Sequence, residues 1–158
     1  MSGGEWKPPP MGVARAANRV IRPLLNSRFH APLSRRLMLL EYHGRRSGRR
    51  YTIPVGYRPW GEDGDEVIAT SVGTSWPVNL RGGQPVRLRL RGTWHHAKPT
   101  IVERPEEVAD MLGELARRQG PAAAASLRVG LPKDRQPTRE ELLLAGTRVR
   151  IGLFRLTD

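Results

Sequence analysis

The chain has 158 residues, enough for one domain with a real core and too few for two ordinary ones. Lys and Arg number 27 against 15 Asp and Glu, a formal net charge of +12, so the field favours polyanionic partners: nucleic acid, an anionic membrane surface, or a phosphorylated cofactor with an acidic tail. The absence of cysteine excludes disulfides, thiolate catalysis and thiolate metal sites.

No apolar run approaches the roughly 20 residues that span a bilayer. Met1 to Pro10 also lacks the apolar core of a signal peptide, so a cytoplasmic protein is expected. Residues 1–10, with their glycines and three consecutive prolines, read as a disordered leader in which Trp6 alone could dock. From Met11 the residues Val13, Ala16, Ala17, Val20, Ile21 and Leu24 fall at helical spacing, with Arg15, Arg19 and Arg22 mostly opposite, until Pro23 disturbs the pattern. Such a basic amphipathic helix either packs on the domain with its arginines in water or makes peripheral contact with an anionic membrane.

Leu37 to His43 is dense in apolar residues and predicts a buried first strand; Tyr51 to Tyr57 predicts a second, with Pro54 marking an edge, a bulge or an opening of the ladder. Glu66 to Ser71 reads as a third strand. Val72 to Ser75 is a small-residue loop before a short helix, Trp76 to Leu80, with proline in its first turn and Gly82-Gly83 after it. Pro85 to Arg91 alternates, with Val86, Leu88 and Leu90 on one face and Arg87, Arg89 and Arg91 on the other, and pairs through Gly92-Thr93 with a strand from Trp94 to Val102. A helix opens at Pro105-Glu106-Glu107 and closes at Gly120. Ala122 to Arg128 suggests another helical piece. Thr138 to Glu141 forms a capping box for a helix expected to stop at Gly146, and Arg148 to Leu156 is a final strand. Six strands, mostly in hairpins and with helices at the periphery, give a mainly β (α+β) chain: a small antiparallel barrel over residues 11–158.

Between the first two strands lies Gly44-Arg45-Arg46-Ser47-Gly48-Arg49-Arg50, with four arginines, a hydroxyl and two glycines in seven residues. Glycine tolerates positive φ and leaves backbone N–H groups open, so Gly44 and Gly48 suggest a concave amide cradle. Guanidinium groups add forked donors that match phosphate or carboxylate oxygens. Elsewhere the common catalytic constellations are missing. His95 and His96 are adjacent in a strand and point to opposite faces, so no metal site is expected. Ser47 has no local triad partners, and the Glu pairs at 106–107 and 140–141 suit helix starts. Any redox chemistry would then belong to a bound cofactor.

The ordered set formed by the basic turn, the strand with Pro54-Val55, Val67-Ile68-Ala69-Thr70-Ser71, Gly73 and Trp76-Pro77-Val78-Asn79-Leu80 resembles the deazaflavin-dependent nitroreductase family. Those proteins belong to the flavin/deazaflavin oxidoreductases with an FMN-binding-like split β-barrel. The resemblance covers residues from about Arg15 to Val102 and implies a site for the 8-hydroxy-5-deazaflavin coenzyme F-420. It places the phosphate and oligoglutamate tail on Arg45, Arg46, Ser47 and Gly48, with Arg49 and Arg50 as outer contacts. The ring would lie on the backbone of Ile53, Pro54 and Val55. Ala69, Thr70 and Ser71 would approach from the next strand, with Trp76 and Asn79 closing that side. The implied reaction is hydride transfer between the reduced coenzyme and an unsaturated, planar small-molecule acceptor, the proton coming from water or Ser71. Family members carry tyrosines in the carboxy-terminal third; this chain has none after Tyr57.

Three other readings use the same features. FMN in the same barrel needs a phosphate cradle but no extended basic track, and the surplus of Arg49, Arg50, Arg87 and Arg89 favours the longer acidic cofactor. A non-catalytic deazaflavin or flavin carrier would account for the missing tyrosines. A nucleic-acid binder calls for exposed stacking aromatics, whereas aromatic residues are 6% of the chain and scattered. The resemblance also leaves room for a homodimer.

Overall fold

The computed structural model describes residues 37–158; the leader, Trp6 and the amphipathic helix expected from Met11 lie outside the described residues. Six strands, β1 (Leu37–His43), β2 (Arg50–Pro59), β3 (Glu66–Ser71), β4 (Val86–Leu90), β5 (Thr93–Val102) and β6 (Arg150–Leu156), close a barrel in the order β1-β2-β3-β6-β5-β4. Every neighbouring pair is antiparallel. Four helices accompany it among the described residues: α1 (Trp76–Asn79), α2 (Pro105–Gln119), α3 (Pro121–Ala125) and α4 (Arg139–Arg148).

Side-chain alternation sorts the strands into two cores. Met38, Leu40, Tyr42, Val55, Tyr57, Val67, Ala69, Leu88 and Phe154 fill the barrel, with Trp76 and Leu80 entering from one end. Ile68 and Ile151 point the other way, onto Val108, Leu112 and Leu115 of α2 and Leu142 of α4. This explains why β3 reads as an almost unbroken apolar run, since both of its faces are covered. The β4–β5 hairpin turns on Arg91 (φ 49°) and Gly92 (φ 85°), two successive left-handed residues that match the twist of the strands they join.

The segment 105–148 folds as the sequence suggests at its beginning and its capping box. Proline and two glutamates open α2, and the Thr138 and Glu141 side chains exchange hydrogen bonds with each other's backbone amides to start α4. The piece expected at Ala122 to Arg128 is shorter and earlier, at Pro121–Ala125. Gly146 does not stop its helix; α4 continues to Arg148 and the last strand begins at Arg150, not Arg148. The glycine is there for proximity. A Cβ at Gly146 would stand 2.3 Å from the Pro105 carbonyl oxygen, so α4 crosses the start of α2 with no side chain between them.

Gly146→Ala gains up to about 1 kcal/mol of helix propensity but drives a methyl into fixed backbone, so it should destabilise by about 1 to 3 kcal/mol net. Gly113→Ala meets only side-chain tips, at 3.1 Å (Leu142) and 3.4 Å (Arg117), and should cost far less. Urea denaturation midpoints of the two variants test the contrast. The Glu141 carboxyl is held down to about 2, chiefly by the Arg135 hydrogen bond and next by the Thr138 amide. A depressed folded-state value means stabilisation that is full above the ordinary carboxylate range and lost as pH falls toward 2. Glu141→Gln should therefore cost about 1 kcal/mol at pH 7 and clearly less at pH 2, where the carboxyl is about half protonated in the folded protein, in denaturation curves taken at both pH values.

Candidate functional site at one end of the barrel

Because neighbouring strands alternate in direction, the ends of β1, β3 and β5 and the starts of β2, β4 and β6 share one end of the barrel. The basic turn, the loop at 72–75, α1 and the residues from Arg148 to Arg150 all gather there. Most of the predicted site residues are thus brought together by topology.

The ladder itself opens at this end. β2 pairs with β1 over Arg50 to Gly56, but with β3 only over Tyr57 to Pro59. Among the described residues the β3-facing edge of residues 50–56 has no strand partner. Ile53, Pro54 and Val55 lie on that edge, and Thr70 and Ser71 occupy the part of β3 that pairs with β6 alone. Proline, having no N–H for a ladder, suits a stretch bonded on one side only.

Arg45 to Arg50 are all solvent-exposed. The loop's amides are largely consumed by the loop: Gly44 N–H donates to Arg49 O (2.8 Å), Gly48 N–H to Gly44 O (2.9 Å) and Arg49 N–H to Ser47 Oγ (3.1 Å). Gly48 sits at φ +68°, which the turn requires of it. The amides of Gly44 and Gly48 that were expected to form a cradle are therefore used within the loop; they hold the turn in shape and leave the guanidinium groups as its outward donors. Arg49 also lies 5.9 Å from the Tyr51 ring, which stacks on Tyr42. Burial, with the neighbouring Tyr51 adding to it, pushes the Tyr42 phenol up.

Asn79 ties the turn to α1. Its Oδ1 accepts from the Arg45 amide (2.8 Å) while its Nδ2 donates to Ser75 O (3.1 Å). Below the turn a cleft of about 310 Å³ is lined by His43, Gly44, Arg45, Leu80, Gln84 and Pro85. Two of the expected contact residues face inward. Trp76 is 2% exposed, its ring tilted on Phe154 at 5.9 Å and seated where a Gly152 Cβ would come within 2.7 Å of it, so it plugs the barrel from inside. Ala69 is fully buried and laddered on both sides, to Tyr57 and to Gly152. Arg87 and Arg89 also leave the basic track: Arg87 pairs with Glu41 (3.4 Å), and both stack on Trp94, at 4.7 and 5.9 Å.

Ser71 is 5% exposed. Its Oγ is hydrogen-bonded to Thr74 Oγ1 and, at 3.3 Å, donates to Thr74 O. It lines a second cleft, of about 370 Å³, with Gly73, Thr74, Glu103, Thr147, Arg148 and Arg150. Here Glu103 accepts from Arg81 (2.6 Å) and lies 3.1 Å from Arg150 Nε. The Arg81 hydrogen bond, opposed by partial burial and aided by the charges of Arg81 and Arg150, holds the Glu103 carboxyl below its usual range. Sequence reasoning missed this cluster, because Arg81, Glu103 and Arg150 share no local motif and meet only through barrel closure. No described helix is long and apolar enough to cross a membrane.

By strand order and by its opening, the described residues form a six-stranded split barrel in which a β2 edge without a described partner adjoins an arginine-rich turn. No protein-family model matches the chain, and no curated protein matches it. Among solved structures it is similar to a pyridoxamine 5′-phosphate oxidase-related, FMN-binding protein from Nostoc punctiforme, at 13% identity over 94% of this chain and 80% of that one, with a TM-score of 0.48. It is also similar to a protein of unknown function from Agrobacterium tumefaciens (16% identity, 98% of this chain but 60% of that one, TM-score 0.46). A conserved hypothetical protein from Mycobacterium tuberculosis is similar at 20% identity, over 86% of this chain and 77% of that one, with a TM-score of 0.42.

Removing the Asn79 side chain should loosen the turn without unfolding the barrel. In Asn79→Ala, hydrogen exchange at the Arg45 amide should quicken about tenfold, the equivalent of one net hydrogen bond, while core amides of β1 keep their protection.

Proposed function

We propose that this protein is an oxidoreductase that binds coenzyme F-420, with its acidic handle on the arginine turn and its ring system at the split between β2 and β3. The observation that supports this most directly is the unpaired β2 edge lying immediately beyond Arg45, Arg46, Ser47, Gly48, Arg49 and Arg50. A planar heterocycle with polar edges needs backbone donors and acceptors in a row, and a phosphate with an oligoglutamate tail needs a run of fixed positive charge.

The residues fit the group. Arg45 and Arg46 would hold the phosphate beside the 310 Å³ cleft, with Ser47 Oγ as a further donor and Arg49 and Arg50 along the tail. The backbone of Ile53, Pro54 and Val55 would carry the ring. When bound in its reduced form the coenzyme supplies a hydride to an unsaturated, planar organic acceptor. The protein's part is orientation and electrostatics: residues of β2 align the plane, and Thr70, whose hydroxyl donates to Leu127 O (3.3 Å), stiffens the opposite lip. Ser71 holds a proton at Oγ, shared with Thr74, beside a cleft that water can enter. It is the chain's own candidate for handing a solvent proton to product. FMN, with one phosphate and no polyanionic tail, would leave Arg49 and Arg50 without work.

Fluorescence titration with coenzyme F-420 and with FMN tests the assignment. The Arg45→Ala/Arg46→Ala double variant removes two charge-assisted contacts of about 1.5 to 3 kcal/mol each, so affinity for F-420 should fall by two orders of magnitude or more. Equal affinity of the variant and the parent protein would falsify the role of the turn, and tighter binding of FMN than of F-420 would shift the cofactor.

A further inference from the structure

The cleft beside Ser71 has a composition that the coenzyme reading does not use. It opens at the same barrel end as the split, and two guanidinium groups, Arg150 in its lining and Arg81 just behind, stand against the carboxylate of Glu103, the one acid among its lining residues. That carboxylate is already engaged by Arg81 and Arg150. Its negative charge is therefore spent inside the wall, and the cleft as a whole remains positive.

Its shape is also built. Gly146 lets α4 lie against the backbone of Pro105, which brings Thr147 to the rim, while Gly73 (φ +69°) carries the opposite lip with open space where a side chain would be. A volume of about 370 Å³ is at the small end of the range for organic ligands and is too small for a polymer.

We infer that this cleft is the acceptor site of the proposed reaction and that it selects flat acceptors bearing a carboxylate, taken up against Arg150 with Ser71 and Thr74 at the inner end. The inference rests on the coenzyme reading for the word acceptor. The anion-selective cleft itself depends only on the residues named. Carboxylate geometry favours the fork of a guanidinium, and Arg150 keeps further N–H groups beyond the Nε that faces Glu103. The arginine turn and this cleft are then two anion sites on either side of α1, one for the handle of the coenzyme and one for the substrate.

The test uses trans-cinnamate and its uncharged amide as probes, followed by backbone amide shifts of the full chain with no coenzyme present. Cinnamate should shift Gly73, Thr74, Gly146 and Thr147 saturably, and cinnamamide should bind at least tenfold more weakly. Thr147→Phe, which fills the rim, and Arg150→Gln, which leaves Glu103 paired to Arg81, should each weaken cinnamate at least tenfold. Circular dichroism confirms that both variants fold, and either one alone suffices to decide. Equal binding of acid and amide, shifts confined to residues 44–50, or indifference to either folded variant overturns the inference. Coenzyme titrations on the same variants separate the two ideas: cinnamate in this cleft with no F-420 binding anywhere leaves the anion site standing and ends the coenzyme reading, whereas normal F-420 affinity with no cinnamate binding does the reverse.

Discussion

The arrangement of this molecule depends on one contact, the indole of Trp76 lying against the bare Cα of Gly152. A large flat ring enters the mouth of the barrel because β6 offers no side chain at that point, and its burial anchors the short helix α1, which at four residues has no stability of its own. Asn79, on the same helix, reaches the Arg45 amide, and Arg81 just beyond it reaches Glu103. One buried aromatic thus sets the position of both the arginine turn and the cleft beside Ser71, the two regions proposed to take anions.

Electrostatics then divides the arginines by task. Those at the Glu103 hub, at Glu114 and at Glu141 are matched to carboxylates, so their charge is locally balanced and serves to fasten elements together. The guanidinium groups of Arg45, Arg46 and Arg50 have no hydrogen-bond or ion-pair partner among the described residues, and these exposed residues stand beside a strand edge with no described partner. An excess of positive charge that is left unbalanced at one place is costly to the compact state and is useful only when an anion arrives. The overall charge of the chain said little about where this would occur; the pairing pattern does.

Much of the barrel was legible because β1 is dense in apolar residues, because β4 alternates cleanly, and because Gly92, Pro105 and the Thr138 capping box punctuate the chain with mechanisms that tertiary contacts reinforce. Pro54 gave notice of the opening in the ladder. What escaped were positions whose meaning is purely spatial. Gly146 looked like a helix stop and proved to be a crossing point. Trp76 and Ala69 looked like ligand contacts, since both adjoin the site in sequence, but inward-facing strand parity and the space above Gly152 send them into the core. Glu103 and Arg150 gave no signal at all, being 47 residues apart and joined only by the β5–β6 ladder.

The self-bonded turn between β1 and β2 has an implication for how such a protein could change over evolutionary time. Since its shape is kept by main-chain hydrogen bonds, one serine hydroxyl and a left-handed glycine, the guanidinium groups it displays are ornaments on a rigid frame. They can be exchanged one at a time for other side chains with little penalty to folding. A lineage could in this way trade one charged ligand for another, or for none, while the barrel beneath stayed the same.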